Sequence, residues 1–426
     1  MSWKRRYGRD WGRLGLRFRT ATIGDIASVQ TGPFGSQLHQ KDYVLNGTPI
    51  VTVEHLGLRK MTRQNLPSVS DADKKRLSKY VLQYGDLVFS RVGSVDRCSW
   101  VNEDEDGWMF SGRCLRVRPK DAADIYHKYL YYFFCLESTK DYVRSVAVGA
   151  TMPSINTKLL SDVTIAFPDI DKQRHIGDML SALDDKIEKN KVINHHLEQM
   201  AHTIFKSWFV DFEPWGGEQP TEWLNSSIGE VCDVKGGKRL PKGENLTTIP
   251  NAHPYIRVRD MNDSLFVQMT SSVEYVPCEI QAGISRYIVS ANDVIISIVG
   301  TIGLVCIVHP SLDKANLTEN CVKLTNRKRV SSSWLYLFLS SDEGQEQIRN
   351  VTVGAVQPKL PIKNIQSISF PLPSSAIMDE FDGVVSGLFD TMANNYAENA
   401  RLADMRSTLL PRLMSGELSV TDLTAK

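Results

Sequence analysis

The segment that opens at Ile23 recurs from Ile228, and this internal repeat constrains the fold more than any other feature of the 426-residue chain. Ile23-Gly-Asp-Ile-Ala aligns with Ile228-Gly-Glu-Val-Cys at an offset of 205, and Pro49, Val51 and Val53 fall on Pro254, Ile256 and Val258 at the same offset. In the middle the offset is 207, which sets Gly85-Asp86 on Asn292-Asp293, Gly93 on Gly300 and Cys114 on Cys321. It then returns to 205, with Leu130-Tyr131 on Leu335-Tyr336, Val148-Gly149-Ala150 on Val353-Gly354-Ala355, and Pro153 and Pro168 on Pro358 and Pro373. Such a chain is two copies of one folding unit, and missing the duplication would mis-assign the whole architecture.

Each copy has the same internal plan, which predicts a mixed α/β (α+β) class. Short apolar runs such as Tyr84 to Val92, Leu115 to Val117, Val294 to Val299 and Leu304 to Val308 read as strands bounded by turn signals. One helical stretch per half, Tyr126 to Arg144 and Trp334 to Arg349, carries apolar residues at spacings of three and four. After Pro168 and Pro373 the composition changes. From Asp171 to Phe209 and from Ser375 to Ser415 the only proline is Pro411, so each segment can run as one long helix.

In the first of these, Ile176, Leu180, Leu183, Ile187, Asn190, Asn194, Leu197, Ala201, Ile204 and Trp208 alternate spacings of four and three. The second repeats the seam with Phe381, Val385, Leu388, Met392, Asn395, Asn399, Leu402, Arg406, Leu409 and Leu413. Heptads sustained this far predict a coiled coil. An antiparallel pairing in which residue numbers sum to 589 sets Asn190 on Asn399, Asn194 on Asn395, Ile187 on Leu402 and Ile176 on Leu413. In that register Leu183 faces Arg406, whose stem would pack while its head reaches water. The expected architecture is two similar globular heads joined by two long antiparallel helices, related by a pseudo-twofold axis.

Fifty Lys and Arg against 49 Asp and Glu give a net charge of +1, which excludes a histone-like polycation but leaves room for a local basic groove. Seven Cys without a CxxC pair argue against both a disulfide framework and a zinc ribbon, and point to a reducing cytoplasm. No apolar run of membrane-spanning length occurs. The first twenty residues are strongly basic, with no apolar stretch after them, and read as a disordered extension ahead of a fold that opens near Thr22.

The usual catalytic constellations are missing: no phosphate-binding GxxxxGK[ST], no GxGxxG, no HExxH and no Gly-x-Ser-x-Gly. Pro168-Asp169 with Asp184-x-Lys186 imitates a metal-dependent nuclease pattern, but Asp184 and Lys186 sit inside the heptad helix, off its seam, and are expected on its solvated face. The second copy has Phe389 at the position of Asp184. No metal or cofactor is expected on this chain.

Two heads on a stiff spacer, without a catalytic set, suit recognition of duplex DNA, whose groove faces recur at a fixed spacing. Gly32-Pro-Phe-Gly-Ser36 with Lys41, and Gly236-Gly-Lys238-Arg239-Leu-Pro-Lys242, are corresponding Gly-rich loops that would let backbone amides and cations approach phosphates. Arg59, Lys60, Arg63, Arg91 and Arg97 in the first head, and Arg257, Arg259 and Arg286 in the second, are candidates for phosphate contact or guanine reading. The paired loops Gly149-Ala-Thr151-Met-Pro-Ser154 and Gly354-Ala-Val-Gln357-Pro-Lys359 share a frame and differ at their tips, as divergent base readers would. The competing class is a coiled-coil scaffold whose heads bind proteins; the matched basic loops speak against it.

The run from Gln173 through Asn190 and Asn194 to Leu197, the following Ser207-Trp-Phe-Val-Asp-Phe-Glu213, and Leu409-Leu-Pro-Arg-Leu-Met-Ser-Gly-Glu417 resemble the helical regions of type I restriction enzyme specificity subunits. The resemblance extends from about Thr22 to Leu418. It implies two target recognition domains, each reading half of a bipartite site in double-stranded DNA. It also implies two modification subunits that methylate adenine with S-adenosylmethionine, and restriction subunits that use ATP and Mg, so that the chain is a non-catalytic member of the complex. The expected divisions are a basic extension 1–21, a first recognition domain 22–170, a central helical spacer 171–213, a second recognition domain 214–373, a C-terminal helical spacer 374–418 and a tail 419–426.

Overall fold

The computed structural model describes residues 18–35, 37–57, 59–261 and 264–418. The basic stretch up to residue 17, the tail from 419 and Ser36 of the first Gly-rich loop lie outside the described residues. The chain divides into two units, one holding the residues up to Asp185 together with those from Ala403, the other Lys186–Leu402. This division cuts through both long helices and so differs from the expected one, which kept heads and spacers apart. The first strand, Arg19–Thr22, also begins ahead of the expected opening at Thr22, because it pairs antiparallel with Thr164–Phe167.

In the first unit an antiparallel sheet runs in the order Ala27–Thr31, Cys114–Pro119, Leu87–Ser90, Cys98–Trp100. A second sheet of short strands includes a parallel pair, Thr48–Val51 with Met109–Phe110. The second unit repeats the plan. Asp233–Gly236, Cys321–Thr325, Val294–Ser297 and Val305–Val308 follow the same order, extended by Phe266–Val267. Register repeats as well: Leu87 lies opposite Val117, and Val294 opposite Leu324, each pair moved by 207. Even the left-handed positions recur, at Gly85 and Asn292 and at Gly93 and Gly300. Both are turns in which φ is positive, a conformation that glycine and, less often, asparagine adopt cheaply.

The single helical stretch expected in each half is two helices, His127–Cys135 and Glu137–Val146 in one unit, Ser332–Ser340 and Asp342–Val351 in the other. The break at Ser341 is extended backbone whose hydroxyl accepts the Gly344 amide at 3.1 Å. Gly344 permits the tight corner, since a Cβ there would lie 2.0 Å from the Phe338 carbonyl. The leading helix of each pair has six consecutive buried residues, Tyr129 to Phe134 and Trp334 to Leu339. A helix apolar all round belongs inside a core, and each stands at the centre of its unit.

The helices Ile170–Phe209 and Ser375–Met414 are 40 residues each. In the first unit Ile176 and Leu180 share a core with Leu410, Leu413 and Met414. In the second, Ala201 and Phe205 share one with Phe381, Val385 and Met392, against which Leu197, Ile204 and Leu388 pack partly buried. Leu183, Ile187, Leu402 and Leu409 are half-buried. Gln173, fully buried, ties the start of the first helix to its head: it donates to the carbonyls of Pro168 and Asp124 and accepts from the Tyr126 amide.

Asp184 is not on a solvated face. Its carboxylate accepts the Tyr132 hydroxyl at 2.7 Å and pairs with the Arg406 guanidinium, leaving its side chain 10% exposed. Phe389, at the equivalent position of the second copy, is also buried, against the ring of Tyr336. The position is turned toward the core helix of its own head in both copies. Lys186 is half-exposed and reaches Glu398 at 3.1 Å.

Candidate nucleic-acid interface

The divergent loops are built on one frame. In the first unit Val148 and Ser154 exchange backbone hydrogen bonds at 2.9 and 2.8 Å, and Ser154 also bridges to Val92 at the end of the strand Leu87–Ser90. In the second, Val353 and Lys359 exchange bonds at 2.9 and 2.8 Å, and Lys359 bridges to Val299. Gly149 and Gly354 both take positive φ, with Met152 and Gln357 carbonyls where a Cβ would intrude. The tips project. Thr151, Gln357 and Lys359 are exposed, as are the apolar Met152 and Val356, while Ser154 is half-buried with its hydroxyl on the Val148 carbonyl.

The Gly-rich loops each have one glycine with a structural reason, Gly32 in the first and Gly237 in the second. A Cβ on Gly32 would sit 2.2 Å from the Ser111 carbonyl oxygen, and one on Gly237 would sit 2.1 Å from that of Thr318. Both amides donate into the sheet, to Cys114 and Cys321. The glycines therefore serve backbone packing, and the cations beyond them carry any anion contact. Lys41, Lys238 and Lys242 are exposed and pair with no carboxylate among the described residues; the same holds for Lys60, Arg97 and Lys359.

The arginines divide by what holds them. Arg91 donates to the Gly112 carbonyl at 3.2 Å and lies 5.8 Å from the centre of the exposed Phe34 ring, which brings it beside the first Gly-rich loop and the Ser154 hairpin. Arg63 is exposed over Trp108 and paired with Asp104. Arg59 was expected at a DNA surface and is 8% exposed instead. Its guanidinium donates to the Ser181 carbonyl and to Asp185 on the long helix and stacks over Trp100, so it is committed to the fold.

In the second head Arg239, Arg257 and Arg259 meet in an open groove of about 610 Å³ with Tyr255, Glu274 and Glu319. Every arginine there has a carboxylate: Arg239 pairs with Glu319, and Glu274 takes both Arg257 and Arg259, the latter at 2.7 Å. Asp260 accepts the Arg257 amide at 2.8 Å beneath them. Burial pushes its carboxyl up to about 6, against the pull of Arg259 and with the help of Glu274. Tyr287 gathers Lys238 and Arg286 over its ring, and Tyr255 holds the Lys238 carbonyl through its hydroxyl. Sequence reasoning missed these carboxylates and tyrosines. Glu274 lies fifteen residues from Arg259, and Glu319 eighty from Arg239, with no short-range pattern to join them.

Among the described residues no cluster of His, Cys, Asp or Glu is arranged to hold a metal ion, and no helix is long and apolar enough to cross a membrane. The arrangement offers cations, hydrogen-bonding side chains and exposed loop tips, a chemistry of binding.

The chain matches the family model described as type I restriction modification DNA specificity domain twice, over residues 17–199 and 220–384. It is 24% identical to the type I restriction enzyme HindI specificity subunit of Haemophilus influenzae, covering 93% of this chain and 98% of that one. It is 26% identical to the MjaIX specificity subunit of Methanocaldococcus jannaschii, covering 72% of each. The crystal structure of a type I restriction-modification S subunit from M. genitalium superposes with a TM-score of 0.60 at 16% identity, covering 94% of this chain and 96% of that one, and thus has the same fold.

Proposed function

The chain belongs to the type I restriction modification DNA specificity family, and from that membership we propose that each of its two heads reads one half of a bipartite target in duplex DNA. The chain supplies sequence specificity to a restriction-modification system and is not itself the catalyst. The observation that carries the two-part reading is the pair of hairpins at Gly149 and Gly354, alike in backbone frame and different in tip residues. One scaffold with two sets of tips reads two different half-sites.

In this reading the exposed cations, Lys41, Lys60, Arg63 and Arg97 in the first head and Lys238, Arg239 and Lys242 in the second, position the backbone. Arg91, Thr151 and Ser154, and Arg257, Arg259, Gln357 and Lys359, are the base-reading candidates. The long helices carry two modification subunits, which bring S-adenosylmethionine, flip the target adenine and methylate it. Restriction subunits bring ATP and Mg. The assembly works in the cytoplasm.

The test is to co-express the chain with its modification subunit and map methylated adenines across the host DNA by single-molecule sequencing. A single bipartite motif with one spacer, absent without this chain, is the expected result. No new methylation, with the modification subunit active beside another specificity subunit, overturns the reading.

A further inference from the structure

Arg59 makes an unusual set of contacts for a side chain in a surface loop. Its backbone carbonyl accepts the Trp100 amide at 3.1 Å, which fixes the loop to the edge strand of the first head's sheet. Its guanidinium lies 5.2 Å from the centre of the Trp100 ring, donates to the Ser181 carbonyl at 3.2 Å and pairs with Asp185. Ser181 and Asp185 are one turn apart on the helix Ile170–Phe209, so a planar, multidentate group grips the helix at two heights. The Arg59 side chain is 9% exposed and that of Asp185 48%.

The duplicated loop also reaches its long helix, by other means. The Leu265 carbonyl accepts the Ile307 amide at 2.8 Å as that of Arg59 accepts the Trp100 amide, so Leu265 stands where Arg59 does, and the Oγ of its neighbour Ser264 lies 2.9 Å from the hydroxyl of Tyr396 on the helix Ser375–Met414. The Tyr396 ring packs edge-on against Phe266. In each unit, then, the loop at this position is fastened to the long helix that follows its own head. Neither residue lies in the groove or the hairpins that carry the base-reading candidates.

We propose that Arg59 is the positioning residue that sets the angle of the first head on its helix, and thereby the number of base pairs permitted between the two half-sites. The proposal rests on the DNA-reading function above. The helix Ile170–Phe209 carries the chain from one unit into the other, so a head that rocks on it changes the distance between recognised bases without changing which bases are read. Duplex geometry makes this visible, since adding or removing one base pair moves a half-site along and around the helix axis together.

The experiment is the methylation map of the whole complex, repeated with three variants. Arg59→Met keeps an apolar stem over Trp100 and removes both helix contacts. Its half-site bases stay as in the wild type, and methylation at targets with a spacer one base pair longer or shorter rises by about tenfold. Asp185→Asn, at a half-exposed helix position, moves the spacer preference in the same direction, and Arg59→Lys, which keeps the charge without the planar fork, recovers only part of the preference for the single spacer. If Arg59→Met fails to accumulate, Asp185→Asn decides alone. An unchanged single spacer in Asp185→Asn and in any Arg59→Met that accumulates overturns the proposal, as do altered bases in the first half-site, which would make Arg59 a reader. A wild-type complex with no bipartite motif is a different result, the failure of the function reading itself.

Discussion

Asn190 donates from its amide to the side-chain oxygen of Asn399 at 3.0 Å, and Asn395 donates to Asn194 at 2.8 Å. The two pairs lie inside the second unit, in the order an antiparallel pairing requires. Asn190 also donates to Glu398 at 2.7 Å, while its own oxygen is buried without a hydrogen-bond partner. Buried amides of this kind cost desolvation that their mutual bonds only partly return. They are a known device for fixing register.

Replacing Asn190 and Asn399 together with Leu is therefore expected to leave stability unchanged or raise it by about 1 kcal/mol. Either single change, which orphans the remaining amide, is expected to lower it by about 1–2 kcal/mol. Urea unfolding of the four proteins in a double-mutant cycle measures the coupling, and a coupling of zero would show that the pair does not matter energetically.

Arg406 sits at a seam position and pairs its charge with Asp184. The carboxylate's remaining partner is the Tyr132 hydroxyl. Arg406→Leu leaves that carboxylate buried and uncompensated, at a cost of about 2–3 kcal/mol, somewhat under the usual range for a buried pair because the Arg406 side chain is 32% exposed. Adding Asp184→Leu is expected to recover most of the loss. If the double variant is as unstable as the single, the ion pair is not the cause.

The repeat made much of this fold legible. Once Ile23 is set on Ile228 and Gly85 on Asn292, strand order, register and left-handed turns in one half follow from the other, because the same chain geometry satisfies the same apolar pattern. The seam was legible for a similar reason: periodicity reports which residues share a helix face. Periodicity does not report what covers a neighbouring face. Asp184 looked solvated because Tyr132, which reaches it, belongs to a helix about fifty residues earlier. Arg59 looked like a DNA contact because a buried arginine and an exposed one are the same letter, and only the carboxylate and carbonyl opposite decide between them. In the groove of the second head the arginines were readable and their carboxylate partners were not.

Asp260 gives a pH signature. Its carboxyl is raised by burial to about 6 in the folded chain, from an ordinary value near 3.8. Between these values the folded chain holds a proton that the unfolded chain has released, so acidification through this window favours folding and the contribution is lost as pH rises through 6. Thermal unfolding from pH 4 to 7 should show this slope in the wild type and its loss in Asp260→Asn. Protonation also removes a negative charge beside Arg257 and Arg259, so affinity for target DNA should rise from pH 7 to 5.5 in the wild type more steeply than in Asp260→Asn. Equal slopes for unfolding in the two proteins would refute the assignment.

The glycines of the two basic loops separate packing from anion binding. If close approach to phosphate were their purpose, Gly32→Ala and Gly237→Ala would weaken DNA binding and spare stability. The geometry requires the reverse order of effects, because the new methyl groups would lie 2.2 and 2.1 Å from the carbonyl oxygens of Ser111 and Thr318, backbone atoms held in place by neighbouring strands. Each substitution is expected to destabilise its unit by about 3 kcal/mol or more, as steric strain against backbone does. Gly35, three residues further along the first loop, has open space around its Cβ position. Gly35→Ala should stay within about 0.5 kcal/mol of the wild type. Calorimetric melting of the three variants, read before any DNA is added, distinguishes the two accounts: a normal melt for Gly32→Ala and Gly237→Ala would return these glycines to the anion-binding role.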